Sequence, residues 1–165
     1  MLQVVTIVLM EGMGIDMKIL FINGSPNIHG NTAALAERLL EGKDYRTLNL
    51  IDYKVYPLGQ SYADDQFVDV IDAIVAADVI VMGSPVYWHS MTGQFRTLLD
   101  RIYESQKKRM LAGKTLFFIF QGAGPLATML EAGNYTMGSF CRLFGLTYGG
   151  MITNLAEAGR LQNKL

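Results

Sequence analysis

Gly24-Ser25-Pro26-Asn27-Ile28-His29-Gly30-Asn31-Thr32 is the stretch on which the reading of this chain turns. Before it runs Lys18-Ile19-Leu20-Phe21-Ile22-Asn23, short, apolar and rich in β-formers, which predicts a buried strand. After it comes Ala33-Ala34-Leu35-Ala36-Glu37-Arg38-Leu39-Leu40, a strong helix former with Leu35, Ala36, Leu39 and Leu40 on one face. A loop between a strand end and a helix start presents backbone N–H groups without intrahelical partners at the positive end of the helix dipole. That is a natural place for an anion, phosphate above all. Ser25, Asn31 and Thr32 add side-chain donors, and Gly30 lets the backbone come close to a ligand.

The loop is not a Walker A sequence, because Asn31 stands where that motif places Lys. With only Gly24 and Gly30 it is not GxGxxG either. No Lys or Arg lies inside it. A phosphate here would be held by N–H groups, hydroxyls and amides, which suits a terminal phosphomonoester. The plainer use of the same residues is a tight turn and a helix N-cap, for which Ser, Asn and Thr are ordinary choices.

Outward from this loop, strand and helix patterns alternate. Residues 45–51 are polar and alternating, as at a sheet edge. Residues 52–66, with Pro57, Gly59 and Ser61, read as a long loop, and Asp64-Asp65 at its end suits a helix N-terminus better than a metal site. Phe67, Val70, Ile71, Ile74 and Val75 fall at helical spacing, and residues 78–83 form an apolar central strand. A second loop, 84–92, leads to a helix striped by Phe95, Leu98, Leu99, Ile102 and Tyr103. Lys107-Lys108-Arg109 reads as a solvated helix end. Residues 115–120 are another buried strand, ending in Gln121-Gly122-Ala123-Gly124-Pro125. The next helix places Leu126, Met129, Leu130, Met137, Phe140, Cys141 and Phe144 on its core side, which makes Cys141 a small core residue. Residues 146–152 supply a last strand, and 154–165 read as a short polar tail.

Runs that are apolar on both faces, at 19–22, 79–82 and 116–120, belong in a parallel sheet covered by helices. The polar run near residue 48 and the Gly-rich one near 149 suit edges. The expected architecture is α/β: a doubly wound, five-stranded parallel sheet in the order 2-1-3-4-5. Ligands bind such sheets at the carboxyl ends of the strands, where the winding switches direction. The loops at 24–32, 84–92 and 121–125 all leave those ends. In the second, Pro85, Val86, Tyr87 and Trp88 would make a wall for a planar heteroaromatic ring, or else a buried aromatic cluster.

Two blocks carry a resemblance to a known family. Met17-Lys18-Ile19-Leu20-Phe21-Ile22-Asn23-Gly24-Ser25-Pro26, followed by Gly30-Asn31-Thr32, resembles the start of a flavodoxin-like NAD(P)H-dependent FMN reductase. Gly83-Ser84-Pro85-Val86-Tyr87-Trp88, then Met91-Thr92-Gly93-Gln94-Phe95 and Asp100-Arg101, resembles that family's second block. The resemblance implies FMN as cofactor, NADH or NADPH as a transient donor, and a small-molecule acceptor such as a quinone, a flavin, or an azo or nitro compound. It implies that Ser25, Asn27, Gly30, Asn31 and Thr32 hold the FMN phosphate. Pro85, Val86, Tyr87 and Trp88 would line the isoalloxazine, and Gln121, Gly122 and Gly124 would reach its pyrimidine edge. His89 is a candidate proton donor, and Asp100-Arg101 is expected to be a structural ion pair. The family builds its flavin cleft between subunits, so a homodimer or larger assembly is expected. Many relatives carry a basic residue where Asn27, Ile28 and His29 stand. Iron–sulfur flavoproteins of the superfamily place a cysteine cluster between the two loops, and none exists here. Two other functions share these features: a flavodoxin-type electron carrier and a non-enzymatic flavin-binding regulatory module.

Composition narrows the classes. At 165 residues the chain can bury a core of one domain, residues 17–165, preceded by an appendage of unknown role at 1–16. Leu2 to Met10 is too short to span a bilayer and lacks the flanks of a secretory signal, although 4–8 could form an extra strand or part of a subunit contact. Only 18% of residues are charged and net charge is −1, with no basic stripe for nucleic acid and no acidic docking face for a carrier. Cys141 is the only cysteine, which excludes an internal disulfide and a four-cysteine metal or iron–sulfur site. A cytoplasmic setting without membrane partners is expected, and the positive mean hydropathy suggests apolar surface buried between subunits.

Overall fold

The computed structural model describes residues 17–165; the expectation for 1–16 lies outside the described residues. Strands β1 (Ile19–Asn23), β2 (Arg46–Asn49), β3 (Val79–Pro85), β4 (Thr115–Gln121) and β5 (Thr147–Ile152) form one parallel sheet. Its order is β2-β1-β3-β4-β5, as the hydrophobic pattern implies. Helices α1 (Asn31–Leu39) and α5 (Leu155–Gln162) cover one face. Helices α2 (Phe67–Ala76), α3 (Gly93–Glu104) and α4 (Ala127–Phe144) cover the other.

Side chains alternate along each strand, so every central strand feeds both layers. Ile19 and Phe21 of β1 face α1 and α5 with Val79, Val81, Phe117 and Ile119. Leu20 and Ile22 face the other helices with Ile80, Met82, Leu116, Phe118 and Phe120. This double burial explains why these strands read as unbroken apolar runs. β2 buries only Leu48 and closes one edge. Cys141 is packed in the second layer, and burial pushes its thiol up to about 11, which keeps it inert.

Several expectations need correction. Residues 154–165 are no polar tail: Asn154 caps α5, its Oδ1 accepting from Glu157 N at 3.0 Å, and Ala158 and Leu161 pack into the α1 layer. The polar exterior of this eight-residue helix masked its two-residue apolar stripe. Leu126 and Tyr103, expected in the core, are exposed. Leu126 precedes α4 as its N-cap, and Tyr103 lies near the carboxyl end of α3, where Lys108 Nζ sits over its ring at 5.0 Å. Lys107-Lys108-Arg109 lies in a 3₁₀ segment, Gln106–Leu111, where Lys107 pairs with Asp72.

Arg101 does form an ion pair, but with Asp65 at 2.7 Å and not with its sequence neighbour Asp100. Successive helical residues point about 100° apart, so Asp100 turns to solvent while Arg101 reaches the 52–66 loop. The guanidinium also donates to Tyr56 O at 2.8 Å and lies over the Phe67 ring. Asp65 Oδ1 accepts from Phe67 N at 2.9 Å, so this carboxylate both starts α2 and anchors the loop to α3.

The glycines of β5 have a packing cause as well as an edge position. The β4–β5 register shifts between Leu116 and Phe117, which pair with Tyr148 and Gly150 and leave Gly149 as the extra residue of a bulge. A Cβ on Gly149 would lie 2.5–2.7 Å from three ring atoms of the fully buried Phe117. Gly149→Ala should therefore lower stability by about 1–3 kcal/mol in urea denaturation with an unchanged slope. An unchanged midpoint would show that the Phe117 ring can yield.

Candidate functional site

The loop after β1 is built by side chains folding back on their own backbone. Asn23 Oδ1 accepts from Ser25 N at 3.1 Å, Ser25 Oγ from Asn27 N at 3.1 Å, and Asn27 Oδ1 from His29 N at 3.2 Å. Gly30 N donates to Asn27 O at 3.1 Å. Each link is the short-range turn that Asn and Ser favour over a ladder. These bonds engage most loop amides, so the donors left for an anion are Ile28 N and those of the first turn of α1. Ala34 N is the first to bond back, to Gly30 O. The N-cap of α1, Gly30, has no side chain to cap with, whereas Thr92 and Asn154 cap α3 and α5. The start of α1 thus keeps its unpaired N–H groups and positive end facing outward.

Hydrogen bonds tie the three loops together. Gly24 N donates to Gly83 O at 2.7 Å and Thr92 Oγ1 to Gly24 O at 2.8 Å, locking the first loop to the second. Val86 N donates to Gln121 O at 2.8 Å, and Gln121 Nε2 to Thr32 Oγ1 at 3.2 Å, locking both to the third. The sheet therefore delivers Ser25 to Thr32, Pro85 to Trp88 and Gln121 to Gly124 to one edge.

Within that edge the expected residues take different positions. Asn27 and Asn31 are exposed, and Gly30 starts the helix. Thr32 is fully buried: its hydroxyl meets Gln121, and its methyl would stand 2.6 Å from a Cβ on Gly83. Its side chain packs the first turn of α1 against the ends of β3 and β4. Ser25 is buried under the loop. Pro85 ends β3 in the core, Val86 is half-buried, Gly122 packs near Val86, and Gly124 has open space above it.

Tyr87 is about half-exposed and Trp88 is 94% exposed, so the buried-cluster alternative for these aromatics does not hold. Tyr87 and Ser90 bond each other's backbone, N to O at 2.9 and 3.1 Å, enclosing Trp88 and His89 with φ of 49° and 68°. Two adjacent positive φ values mark the tight hairpin turn that Asn-Gly normally fills. Trp88 and His89 are the only non-glycine residues with positive φ among the described residues, and each carries about 1–2 kcal/mol of strain. The imidazole of His89 stands edge-on to the indole at 6.1 Å. Sequence reasoning missed Asn23 and Thr92. A buried Asn ending an apolar strand, and a Thr opening a striped helix, were the available signals.

Comparison with known proteins gives the chain its family. A profile of the NADPH-dependent FMN reductase family matches residues 17–152, and the chain belongs to that family. It is similar to an FMN reductase (NADPH) of Pseudomonas putida, 32% identical over 120 residues covering 69% of this chain and 58% of the relative. It is also similar to an iron–sulfur flavoprotein of Archaeoglobus fulgidus, 34% identical over 98 residues covering 52% and 48%. The chain spans about half the length of most curated relatives it matches. In fold it resembles the Trp repressor binding protein from Bacillus subtilis, with a TM-score of 0.72, 21% identity, and coverage of 87% of this chain and 98% of that one. FMN is the family's cofactor, and the residues at this edge fit it. An uncapped helix start suits the terminal phosphate, and exposed Tyr87 and Trp88 beside it offer ring surface.

The strained hairpin gives a test of its own. Trp88→Asn combined with His89→Gly installs the preferred turn pair and should raise unfolding free energy by about 1 kcal/mol. A urea midpoint that falls or stays put would show that the turn stores no strain.

Proposed function

We propose that this member of the NADPH-dependent FMN reductase family is an oxidoreductase that takes two electrons from NADH or NADPH. It passes them to a small acceptor: a quinone, a flavin, or an azo or nitro compound. The observation that carries the reading is the uncapped start of α1 beside the exposed aromatic pair at one switch point. Bound there, FMN would supply hydride and electron transfer, so the chain needs no nucleophile–base pair of its own.

The residues then have separable tasks. The N–H groups of Asn31 and Thr32 and the Asn31 carboxamide bind the phosphate dianion, with no cation in the loop to share its charge. Tyr87 and Trp88 exclude water from one side of the ring, and Gly122 and Gly124 give backbone access to its polar edge. His89 can pass a proton through an imidazole nitrogen to a reduced acceptor. Overall, NAD(P)H yields two electrons and a proton, solvent yields a second proton, and a quinone acceptor becomes a hydroquinone.

The loops and helix starts that follow the strand ends also carry Ile28, Leu126 and Leu155, all exposed. Exposed apolar side chains on these segments, with Tyr87 and Trp88, fit burial against a second copy. Light scattering should give at least a dimer at micromolar concentration, and a monomer mass would contradict the assembly.

Two measurements test the activity. Asn31→Ala should weaken FMN binding about tenfold or more, since a hydrogen bond to a charged group contributes about 1.5–3 kcal/mol. Unchanged affinity in equilibrium dialysis would place the phosphate elsewhere. Anaerobic mixing with NADH or NADPH should bleach the flavin band of the holoprotein, and a quinone should restore it. Protein that holds FMN but is bleached by neither nucleotide would overturn the reductase reading in favour of a carrier.

A further inference from the structure

At the amino ends of the strands, opposite the cofactor edge, the last turns of α3 and α4 and the segment Gln106–Leu111 frame a cavity of about 490 Å³. Tyr103, Lys108, Arg109, Ala112, Leu143 and Phe144 line it. Ala112 precedes β4 and Phe144 precedes β5, so the length of β4, seven residues or roughly 20 Å, separates the cavity from Gln121 and the cofactor loops. It shares no lining residue with those loops. Its volume lies in the range that takes small organic ligands.

The wall is apolar and open to solvent. Tyr103 and Leu143 are 54% and 63% exposed beside the buried Phe144, which leaves aromatic and aliphatic surface for a ring to cover. The charge is one-sided. Lys108 and Arg109 are the charged side chains of the lining, and no carboxylate joins them. Glu104 follows Tyr103 in sequence but lies outside the lining, and Asp72 is taken by Lys107.

The two cations are not equivalent. Lys108 Nζ donates to Tyr103 O, one of the last carbonyls of α3, and lies 5.0 Å from the centre of the Tyr103 ring. It thereby offsets the negative end of α3, which would otherwise repel an anion. Arg109 is exposed, and its guanidinium makes no hydrogen bond or ion pair among the described residues. A free guanidinium presents its N–H donors as a rigid fork that matches a carboxylate with two parallel hydrogen bonds. With Lys108 already engaged, one such fork suits a single acidic group and not a polyphosphate.

We propose that this cavity binds a small aromatic carboxylate, its ring against Tyr103, Leu143 and Phe144 and its carboxylate on Arg109. The site stands apart from the cofactor edge and is independent of the reductase reading.

The test uses the FMN-loaded protein with 2-naphthoate as probe and 2-naphthamide as its uncharged counterpart. Naphthoate should shift the amide NMR signals of residues 108–112 and 143–145 and leave those of 25–32 and 86–89 in place. Arg109→Gln, at an exposed position, should weaken naphthoate binding about fivefold or more, as loss of a charge-assisted pair at a partly open site implies. Leu143→Glu, also exposed, should weaken it at least as much by placing a like charge at the ring wall. Naphthamide should bind more weakly than naphthoate and be indifferent to Arg109→Gln, and added salt should weaken naphthoate alone. FMN affinity and the flavin absorbance band should stay at the wild-type level in both variants. Absence of naphthoate binding, equal binding of the two probes, unchanged naphthoate affinity in either folded variant, or shifts confined to the cofactor loops would overturn the proposal. Shifts at 108–112 and 143–145 that follow protein concentration without any probe would overturn it too, by assigning this face to a second copy.

Discussion

Everything at the carboxyl edge depends on how closely β1 and β3 approach where they end. Gly24 N meets Gly83 O at 2.7 Å, and a Cβ on Gly24 would stand 2.8 Å from that same oxygen and from the Phe95 ring. A Cβ on Gly83 would meet the Thr32 methyl at 2.6 Å. Two glycines facing each other across adjacent strands let the first helix start directly above the second loop. Thr92 then fastens the junction, donating to Gly24 O while capping α3. The same hydroxyl starts α3 and fixes the loop before α1, so the loops after β1 and β3 cannot drift independently.

On that rigid base sits one strained element. Backbone strain persists only where surrounding structure over-determines it, and it concentrates at binding sites. The Tyr87–Ser90 bonds close the hairpin, and the β3 end and the Thr92 cap hold its two legs. Trp88 and His89 have no buried contact that would justify their φ values, since both side chains are exposed. A structural turn would be better served by Asn-Gly. Large rings at these two positions make sense as surface offered to something else, a cofactor ring, a substrate or a second subunit.

The fold was legible because the chain obeys two periods faithfully. Strands buried on both faces leave unbroken apolar runs, and the stripes of α1 and α2 are wide enough to read. What escaped had weak or misleading local signals. α5 buries only Ala158 and Leu161 in its own span, too few for a periodic pattern, and its existence depends on packing against α1. Leu126 looked like core because it is apolar and precedes a helix, yet a cap residue points away from the first turn. Arg101 was paired with its neighbour in sequence, although the helix turns that neighbour to another face. At the site, the motif located the loop, while the consumption of its amides by Asn23, Ser25 and Asn27 depends on three-dimensional closure.

That closure bears on the charge of whatever the site accepts. A phosphate dianion beside α1 meets a helix dipole and a few N–H groups, and no Lys or Arg in the loop. Helix-terminus attraction amounts to about 0.3–1 kcal/mol when exposed to solvent and is screened by salt, so oriented hydrogen bonds must carry most of the affinity. Such bonds act over short distances and favour a ligand with one well-shaped terminal phosphate over a merely polyanionic one.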